Sequence, residues 1–340
     1  MTSPEPTPHG PGTNPPGPLP SPRRRRRRWL KLFFLLLIAA FGFANYLGYR
    51  HGYAFTHYAP AGDRPPKPES LSFGQKLRLG LTGVSVPRPV NARTPESVGL
   101  PFTVVSIPVR HEQLEAWHVP HPTAKGVVVM GPGYMSAKDS LLPEVQALHD
   151  LNFAVLLIDF RGAGGSPRGD VTLGVREGGD MAMALAFAKE EWPDLPIFAY
   201  GFSMGAVAVL KAVAVYHAEP TAIILDAPFD RMISVVRNRL RTMNVPAWPA
   251  AELVVFWGGR SVGIDGFAHN PADDARAVTC PTLILHGTQD ARATGPMVQA
   301  VFENLPGPKQ QVDFDGAGHE PLARFDREKW KQAVQEFLNR

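Results

Sequence analysis

Near the middle of the chain, residues 199–205 read Ala199-Tyr200-Gly201-Phe202-Ser203-Met204-Gly205. A short apolar run of strand length, residues 196–200, precedes it, and a helix-like run begins at Met204. Glycines two positions before and after Ser203 allow the chain to turn sharply from strand into helix, and such a turn exposes the serine hydroxyl. The pattern G-x-S-x-G alone is compatible with a plain turn. Its strand–turn–helix context predicts a nucleophilic serine.

Short apolar runs alternate with helix-length segments from about residue 102 onward. The predicted strands are residues 102–109, 113–118, 126–130, 153–159, 196–200, 222–226, 282–286 and 311–315. The predicted helices are residues 141–151, 175–191, 204–217, 231–242, 296–304 and 327–338. Continuous aliphatic runs are typical of strands covered on both faces, and the first two strands have no helix between them. We therefore predict an α/β fold, an eight-stranded, mostly parallel sheet with helices on both faces that opens with a hairpin.

Two further residues complete the pattern that a serine nucleophile requires. A serine hydroxyl is a weak nucleophile at neutral pH, so it needs a base, and the base needs an orienting acid. Asp290 follows the predicted strand 282–286, and His319 follows the last strand in a glycine-rich turn. This order of serine, acid and histidine predicts a Ser203–His319–Asp290 triad. Asp226, at the end of strand 222–226, is an alternative acid.

From about residue 100 to the end, the sequence resembles the α/β-hydrolase superfamily, near its monoglyceride-lipase-like and serine-aminopeptidase-like branches. The resemblance is carried by residues 159–166 (DFRGAGGS), 201–205 (GFSMG), 280–287 (CPTLILHG) and 316–319 (GAGH). It implies an oxyanion hole made by the N–H of Met204 and by an N–H in the loop after the third strand. The family usually has His-Gly there, whereas this chain has Pro132-Gly133. Proline has no N–H, so the match makes Tyr134 the second oxyanion-hole residue.

Residues 228–276 separate two predicted strands by more than one crossover helix needs. An insertion here would form a small cap over the carboxyl ends of the strands, where ligands bind in open α/β sheets. Trp248, Phe256 and Trp257 are candidate residues of an apolar acyl pocket in this cap. The alternative is an ordinary packed pair of helices.

The remaining chemistry-bearing residues favour structural roles. His149, His217 and His269 lack the spacing of metal ligands, and Cys280 is the single cysteine, so we expect no metal and no other cofactor. His286 lies at a strand end in a position where the resembled family commonly has histidine. We interpret it as structural, and residues 159–162 as an element that orders its loop.

The N-terminus differs in composition from the rest of the chain. Residues 1–28 form a Pro-rich and Arg-rich stretch, predicted to be a disordered tail, and residues 29–49 a transmembrane helix. Residues 23–28 are six arginines, so the positive-inside bias predicts a cytoplasmic tail and a hydrolase domain outside the cytoplasm. Residues 42–44 also fit a signal-peptidase site and residues 26–31 resemble a twin-arginine signal, so an exported protein cleaved after Ala44 is the alternative.

The charge balance of residues 60–340 gives no support for a nucleic-acid function. From residue 60 on, the chain holds 27 Lys and Arg against 30 Asp and Glu, so the high isoelectric point belongs to the N-terminus. Residues 50–100 are predicted to be a linker with one amphipathic patch at 73–81, and residues 101–340 the hydrolase domain.

Together these patterns predict a membrane-attached serine hydrolase that cleaves a small-molecule ester without a cofactor, and a lipid-like ester is one candidate substrate. An amidase, peptidase or thioesterase of the same fold is an alternative. A second alternative, from another class, is a non-catalytic binding domain tethered to the membrane.

Overall fold

Eight strands form one sheet in the order β1-β2-β4-β3-β5-β6-β7-β8. The computed structural model describes residue 3 and residues 22–60, 71–109 and 112–339. The strands are β1 Thr103–Val109, β2 Glu112–Val119, β3 Val127–Gly131, β4 Ala154–Ile158, β5 Ile197–Phe202, β6 Ala222–Asp226, β7 Thr282–Gly287 and β8 Lys309–Phe314. Strand β2 is antiparallel to both of its neighbours, and all other pairs from β4 to β8 are parallel. The predicted eight-stranded, mostly parallel sheet and its opening hairpin are confirmed.

The central strands are the core of the molecule. Every residue of β3, β4, β5, β6 and β7 is buried. The edge strands β1 and β8 keep exposed positions. This difference explains why the continuous aliphatic runs predict the central strands within one or two residues, because both faces of these strands must be apolar.

The helices that follow the start of the sheet include the six predicted segments, each close to its predicted range, and three segments that were not predicted, at residues 250–262, 271–274 and 322–325. They are α3 Leu142–Asp150, α4 Glu177–Glu191, α5 Met204–Ala214, α6 Met232–Thr242, α7 Ala250–Val262, α8 Pro271–Asp274, α9 Gly295–Asn304, α10 Leu322–Phe325 and α11 Arg327–Leu338. Helices α3, α10 and α11 pack together in one group, and α4, α5, α8 and α9 in a second group. The helices α6 and α7 pack against each other in the insertion between β6 and β7, where the cap is predicted.

Within the described residues before the sheet, the α-helices are α1 Pro22–Thr56 and α2 Phe73–Thr82. The chain divides into two units, Met1–Ala44 and Asn45–Arg340. In the first unit, the apolar side chains of α1 are exposed, as for Ile38 at 67% and Phe41 at 72%. The stretch Arg26–Thr56 is long and apolar enough to cross a membrane by length and composition.

In the second unit, the end of α1 packs closely against α7. A Cβ atom on Gly52 would lie 2.5 Å from the backbone nitrogen of Gly258, and one on Gly48 would lie 2.7 Å from the Cβ of Leu253. Only glycine permits this approach of two helix backbones. One turn further along, the Oγ1 of Thr56 lies 3.1 Å from the hydroxyl of Ser261.

The N-terminal boundaries therefore differ from those predicted from composition. The predicted membrane segment, residues 29–49, lies inside the longer helix α1. The predicted linker, residues 50–100, contains the packed end of α1, the helix α2 and a 3-10 turn at Pro95–Val98. Residues 61–70 of this linker, and the predicted tail apart from residue 3 and residues 22–28, lie outside the described residues.

Candidate active site

Ser203 lies at the sharp turn between β5 and α5. Its backbone has φ 53° and ψ −111°, a conformation that non-glycine residues rarely adopt. The Ser203 N–H donates a 2.7 Å hydrogen bond to the carbonyl oxygen of Asp226 at the end of β6, which helps to hold this backbone. A strained backbone fixed by its surroundings is frequent at functional sites, and this turn directs the hydroxyl away from the sheet.

The two glycines of the motif are required by packing. A Cβ atom on Gly201 would lie 2.2 Å from the carbonyl carbon of Gly205, and one on Gly205 would lie 2.1 Å from the carbonyl oxygen of Gly131. Both distances are far below van der Waals contact. The first turn of α5 therefore packs directly against β5 and the end of β3.

The structure brings the three predicted triad residues together. The Nδ1 of His319 lies 2.7 Å from the Oδ2 of Asp290, and its Nε2 lies 3.0 Å from the Oγ of Ser203. A carboxylate can only accept, so Nδ1 carries the proton and Nε2 is left to accept the serine proton. The ring of Phe202 lies 5.1 Å from the imidazole of His319. This arrangement suits general-base activation of a hydroxyl.

Asp290 is held in place by backbone donors. Its side chain is buried, and its Oδ1 accepts hydrogen bonds from the N–H groups of Arg292 at 2.7 Å and Ala293 at 2.9 Å. The other oxygen, Oδ2, faces His319. Two backbone donors on one oxygen fix the orientation of the carboxylate toward the imidazole.

Asp226, the alternative acid, is placed elsewhere. Its Oδ2 accepts a 2.7 Å hydrogen bond from the hydroxyl of Tyr200 and a 3.3 Å hydrogen bond from the N–H of Leu322. Leu322 lies three residues after His319, so Asp226 contacts the loop that carries the histidine. The geometry favours Asp290 as the partner of the imidazole and gives Asp226 a supporting position beneath the loop.

A second buried acid, Glu144 on α3, supports the same loop. Its Oε1 accepts a 3.1 Å hydrogen bond from the N–H of Ala323. Burial raises the pKa of Glu144 to about 8, and the nearby Asp226 adds to this increase. Burial also raises the pKa of Asp226 to about 7, although the hydrogen bond from Tyr200 opposes the increase. Both acids therefore retain protons to a higher pH than exposed carboxyl groups.

The predicted oxyanion-hole residues flank the nucleophile turn. Met204 is the first residue of α5, and N–H groups in the first turn of a helix have no acceptor within the helix. Tyr134 lies in the loop after β3. This loop lies beside α5, because a Cβ atom on Gly205 would lie 2.9 Å from the carbonyl oxygen of Pro132.

The loop of Tyr134 is held by the chain at the end of α1. The hydroxyl of Tyr134 donates a 2.9 Å hydrogen bond to the carbonyl oxygen of Phe55, and the N–H of Met135 donates a 3.0 Å hydrogen bond to the hydroxyl of Tyr58. The rings of Tyr58 and Tyr134 stack with centroids 5.9 Å apart, and Met135 has a positive φ of 59°. Sequence reasoning missed Phe55 and Tyr58, since no local pattern links them to a loop nearly 80 residues away.

The far end of the same loop is fixed by buried charges. The Nζ of the fully buried Lys138 lies 2.5 Å from Asp159 and 2.7 Å from Glu115. Asp159 also accepts hydrogen bonds from the N–H groups of Lys138 at 2.8 Å and Gly165 at 2.9 Å. These contacts agree with the interpretation of residues 159–162 as an element that orders its loop.

Of the three candidate pocket residues, Phe256 and Trp257 have rings in contact, with centroids 5.1 Å apart. Trp248 is 77% exposed and Phe256 is 50% exposed. The indole N–H of Trp257 donates a 3.1 Å hydrogen bond to the Oδ1 of Asn45, and its ring lies 5.9 Å from that of Tyr49. Trp257 therefore contacts α1, and its contacts support the alternative of packed helices over an acyl pocket.

The other histidines have structural environments. The Nε2 of His269 lies 3.0 Å from the carbonyl oxygen of Leu173, and burial lowers the pKa of His269 to about 4. The Nδ1 of His286 lies 3.4 Å from a carboxylate oxygen of Asp313. Within the described residues, no group of three or more His, Cys, Asp or Glu side chains could hold a metal ion.

Comparisons with known proteins give relatives for this domain. The family model described as "Serine aminopeptidase, S33" matches residues 122–261, which include Ser203 and end before Asp290 and His319. An uncharacterized protein of Mycobacterium tuberculosis is 26% identical over 229 residues, which cover 66% of this chain and 75% of the relative.

Solved structures share the fold of this domain. An esterase of Pyrococcus furiosus has a TM-score of 0.64 and 23% identity, and the match covers 75% of this chain and 97% of the esterase. An esterase of Exiguobacterium antarcticum has a TM-score of 0.52 and 17% identity, with 70% of this chain and all of the esterase (100%) covered. The chain therefore has the α/β-hydrolase fold, and its resemblance to the α/β-hydrolase superfamily is confirmed.

Proposed function

We propose that this chain is a serine hydrolase that cleaves a carboxylic ester through an acyl-enzyme. The proposal is carried by one observation, the position of His319 between the hydroxyl of Ser203 at 3.0 Å and the carboxylate of Asp290 at 2.7 Å. Three residues from three separate loops meet in the order that general-base activation of a serine needs.

The proposed reaction uses each of these contacts. The Oγ of Ser203 attacks the ester carbonyl carbon while the Nε2 of His319 takes the hydroxyl proton, and Asp290 stabilises the imidazolium. The tetrahedral intermediate collapses, the bond to the alcohol oxygen breaks, and His319 gives its proton to the leaving alcohol. Water then attacks the acyl-enzyme with the same base, which releases the carboxylic acid and restores the serine hydroxyl.

Backbone N–H groups of Met204 and Tyr134 would stabilise the oxyanion of each tetrahedral intermediate. The N-terminus of α5 adds a favourable electrostatic contribution at this point. The value of such donors depends on their being fixed before the reaction, since no free energy is then spent on reorientation. The hydrogen bonds that the N–H groups of Met135 and Lys138 donate to Tyr58 and Asp159 support that requirement.

An ester is favoured over an amide by the named structural neighbours. Proteins with TM-scores of 0.64 and 0.52 are esterases by name, whereas the matching family model carries the name of an aminopeptidase. Ester and amide hydrolysis use the same triad, so only an assay with both kinds of substrate distinguishes them. The full-length protein should be assayed in detergent with p-nitrophenyl esters of graded acyl length, an aminoacyl p-nitroanilide and an acyl thioester.

We expect the highest kcat/KM with one of the esters, and no turnover by the Ser203→Ala variant. A higher kcat/KM with the anilide or the thioester would reassign the substrate class and keep the triad. Absence of turnover with all three classes would favour the alternative of a non-catalytic, membrane-tethered binding domain.

We also propose that α1 anchors the protein in a membrane. Residues 29–44 of α1 cover about 24 Å of helix, which is at the low end of what spans a bilayer. Beyond them, Asn45 and Gly48 pack against Trp257 and Leu253 of α7. The apolar side chains of α1 in the first unit of the chain are exposed. The arginines at 23–28 favour a cytoplasmic N-terminus, which would place the hydrolase domain outside the cytoplasm.

Protease treatment of intact cells tests this topology. The proposal predicts that the C-terminal domain is digested and that a tag placed at Met1 is protected. A protected C-terminal domain would contradict the orientation. A mature protein that begins at Asn45 would instead support the alternative of a cleaved signal and an exported soluble protein.

A further inference from the structure

The helix α2 has an exposed apolar face that neither the triad nor the anchor explains. The helix begins with a capping box, in which the Ser72 hydroxyl accepts from the Gln75 N–H at 3.4 Å and the Gln75 side chain accepts from the Ser72 N–H at 2.9 Å. Such a cap specifies a helix start. None of the ten residues of α2 is buried, so burial of its own apolar surface does not explain the helix.

Three of the four large apolar side chains of α2 lie on one side. Phe73 is 82% exposed, Leu77 is 54% exposed and Leu81 is 49% exposed. At about 100° per residue, positions four apart are about 40° apart, so the three side chains share a sector of about 80°. The half-buried Leu79 lies about 160° from the centre of that sector, on the side that faces the domain. The other half-buried residues, Lys76 and Gly80, lie about 100° and 60° from that centre, so the exposed sector lies beside the side that contacts the domain and outside it.

Two side chains tie α2 to α1 near the end of the apolar run. The Nε2 of His51 lies 2.9 Å from the carbonyl oxygen of Gly80, and the guanidinium of Arg50 donates a 2.5 Å hydrogen bond to the carbonyl oxygen of Thr82. Arg50 follows the uninterrupted apolar run, which ends at Ala44, by less than two turns of the same helix. The carboxyl end of α2 is thus fixed beside the segment that leaves the proposed membrane span.

The charges on α2 are suited to a lipid surface. Lys76 and Arg78 lie on either side of the apolar sector, and the sequence from Leu71 to Thr94 contains no acidic residue. Basic side chains beside an apolar face can extend their charged ends toward lipid headgroups while their stems cover apolar surface. Three side chains are also too small a surface for a stable interface between two proteins, which buries about 1,200–2,000 Å².

We propose that α2 lies in the plane of the membrane surface, with Phe73, Leu77 and Leu81 inserted at the boundary of headgroups and acyl chains. This inference rests on the proposed membrane attachment of α1, and it deepens the proposed function. In this position α2 holds the hydrolase domain against the bilayer. Esters dissolved in the membrane are then the substrate class that the candidate active site can reach.

Site-specific fluorescence on the full-length chain tests this position. The single cysteine is replaced by Cys280→Ser, with Cys280→Ala as a second background, and an NBD label is attached at Leu77→Cys. The matched control carries the label at Thr82→Cys, an exposed position about 140° around the same helix. Both proteins are reconstituted into vesicles of phosphatidylcholine with 30% phosphatidylglycerol, with or without lipid carrying a doxyl quencher at acyl carbon 5. Retained ester turnover shows that each variant is folded.

The inference predicts at least about two-fold quenching at position 77 and much weaker quenching at position 82, because an interfacial helix inserts about 5–10 Å. Vesicle flotation separates the two proposals. If the protein floats with the vesicles and position 77 is not quenched, α1 is an anchor and the inference is wrong. If the protein does not float, the proposed anchor and the inference about α2 are both wrong. A blue-shifted label that is insensitive to doxyl lipid and depends on the protein-to-lipid ratio would assign the face to a second copy of the chain and overturn the inference.

Discussion

The two sides of the candidate active site are built in different ways. The triad side is assembled by the sheet, since Ser203, Asp290 and His319 follow the carboxyl ends of β5, β7 and β8. The proposed oxyanion side is a loop after β3 that forms hydrogen bonds with Phe55 and Tyr58. One half of the site therefore belongs to the fold itself. The other half contacts the segment that joins the domain to the proposed anchor.

The largest expected effect is on the triad side. Replacement of the nucleophile by Ser203→Ala should lower kcat by about 10⁶, the loss seen when a serine protease loses its nucleophile. The matched control is Ser106→Ala, at an exposed position of β1. Ester hydrolysis by the two full-length variants measures the difference. A Ser203→Ala variant that keeps more than about 1% of the wild-type kcat would contradict the assignment.

The next comparison distinguishes Asp290 from Asp226 as the acid of the triad. Asp290→Asn should lower kcat by about 10⁴, because the amide would favour the wrong imidazole tautomer of His319. Asp226→Asn should have a much smaller effect, since the amide oxygen can still accept from Tyr200 and Leu322. Steady-state kinetics of both variants measure the ranking. The reverse ranking would move the acid to Asp226.

The same division explains how much the sequence predicts. Local sequence patterns predict the central strands and the triad loops. A strand that is covered on both faces must be apolar, and a nucleophile turn must have glycines. The packed end of α1 has no such pattern. Gly48 and Gly52 can be recognised as a helix-packing pair only when Leu253 and Gly258 are known to lie opposite them. Trp257 is an aromatic residue of the kind that lines pockets, although it contacts Asn45.

A smaller effect is expected on the oxyanion side. Tyr58→Phe removes the acceptor of the hydrogen bond from Met135 and keeps the ring that stacks on Tyr134. We expect kcat to fall about 10-fold with KM nearly unchanged, less than the 10²–10³ lost with an oxyanion donor itself. Tyr53→Phe is the matched control, since Tyr53 is a partly exposed tyrosine on α1. A positioning role lowers kcat selectively. An equal change in both variants, or a change in KM alone, would contradict it.

The smallest effect is the contribution of Asp226 to stability. Its pKa is raised by burial to about 7, above the value of about 3.9 in an unfolded chain. The folded state therefore binds the proton more tightly, and the stabilisation that is complete below about pH 4 is lost as the pH rises through about 7. Relative to Asp226→Asn, the free energy of unfolding of the wild type should fall by more than about 1 kcal/mol across this range. Denaturant unfolding at pH 4 to 8 measures it, and parallel pH curves for the two proteins would contradict the expectation.

The assignment of Ser203 as the nucleophile is tested most directly by the site of covalent modification by a fluorophosphonate. This reagent reacts with a serine that a neighbouring base activates, so the full-length native protein should gain one adduct, which peptide mass spectrometry should locate on Ser203. The reaction should be lost in Ser203→Ala and after heat denaturation, and strongly slowed in His319→Ala. An adduct on a different residue, or ester turnover by a protein that forms no adduct, would contradict the assignment of Ser203 as the nucleophile.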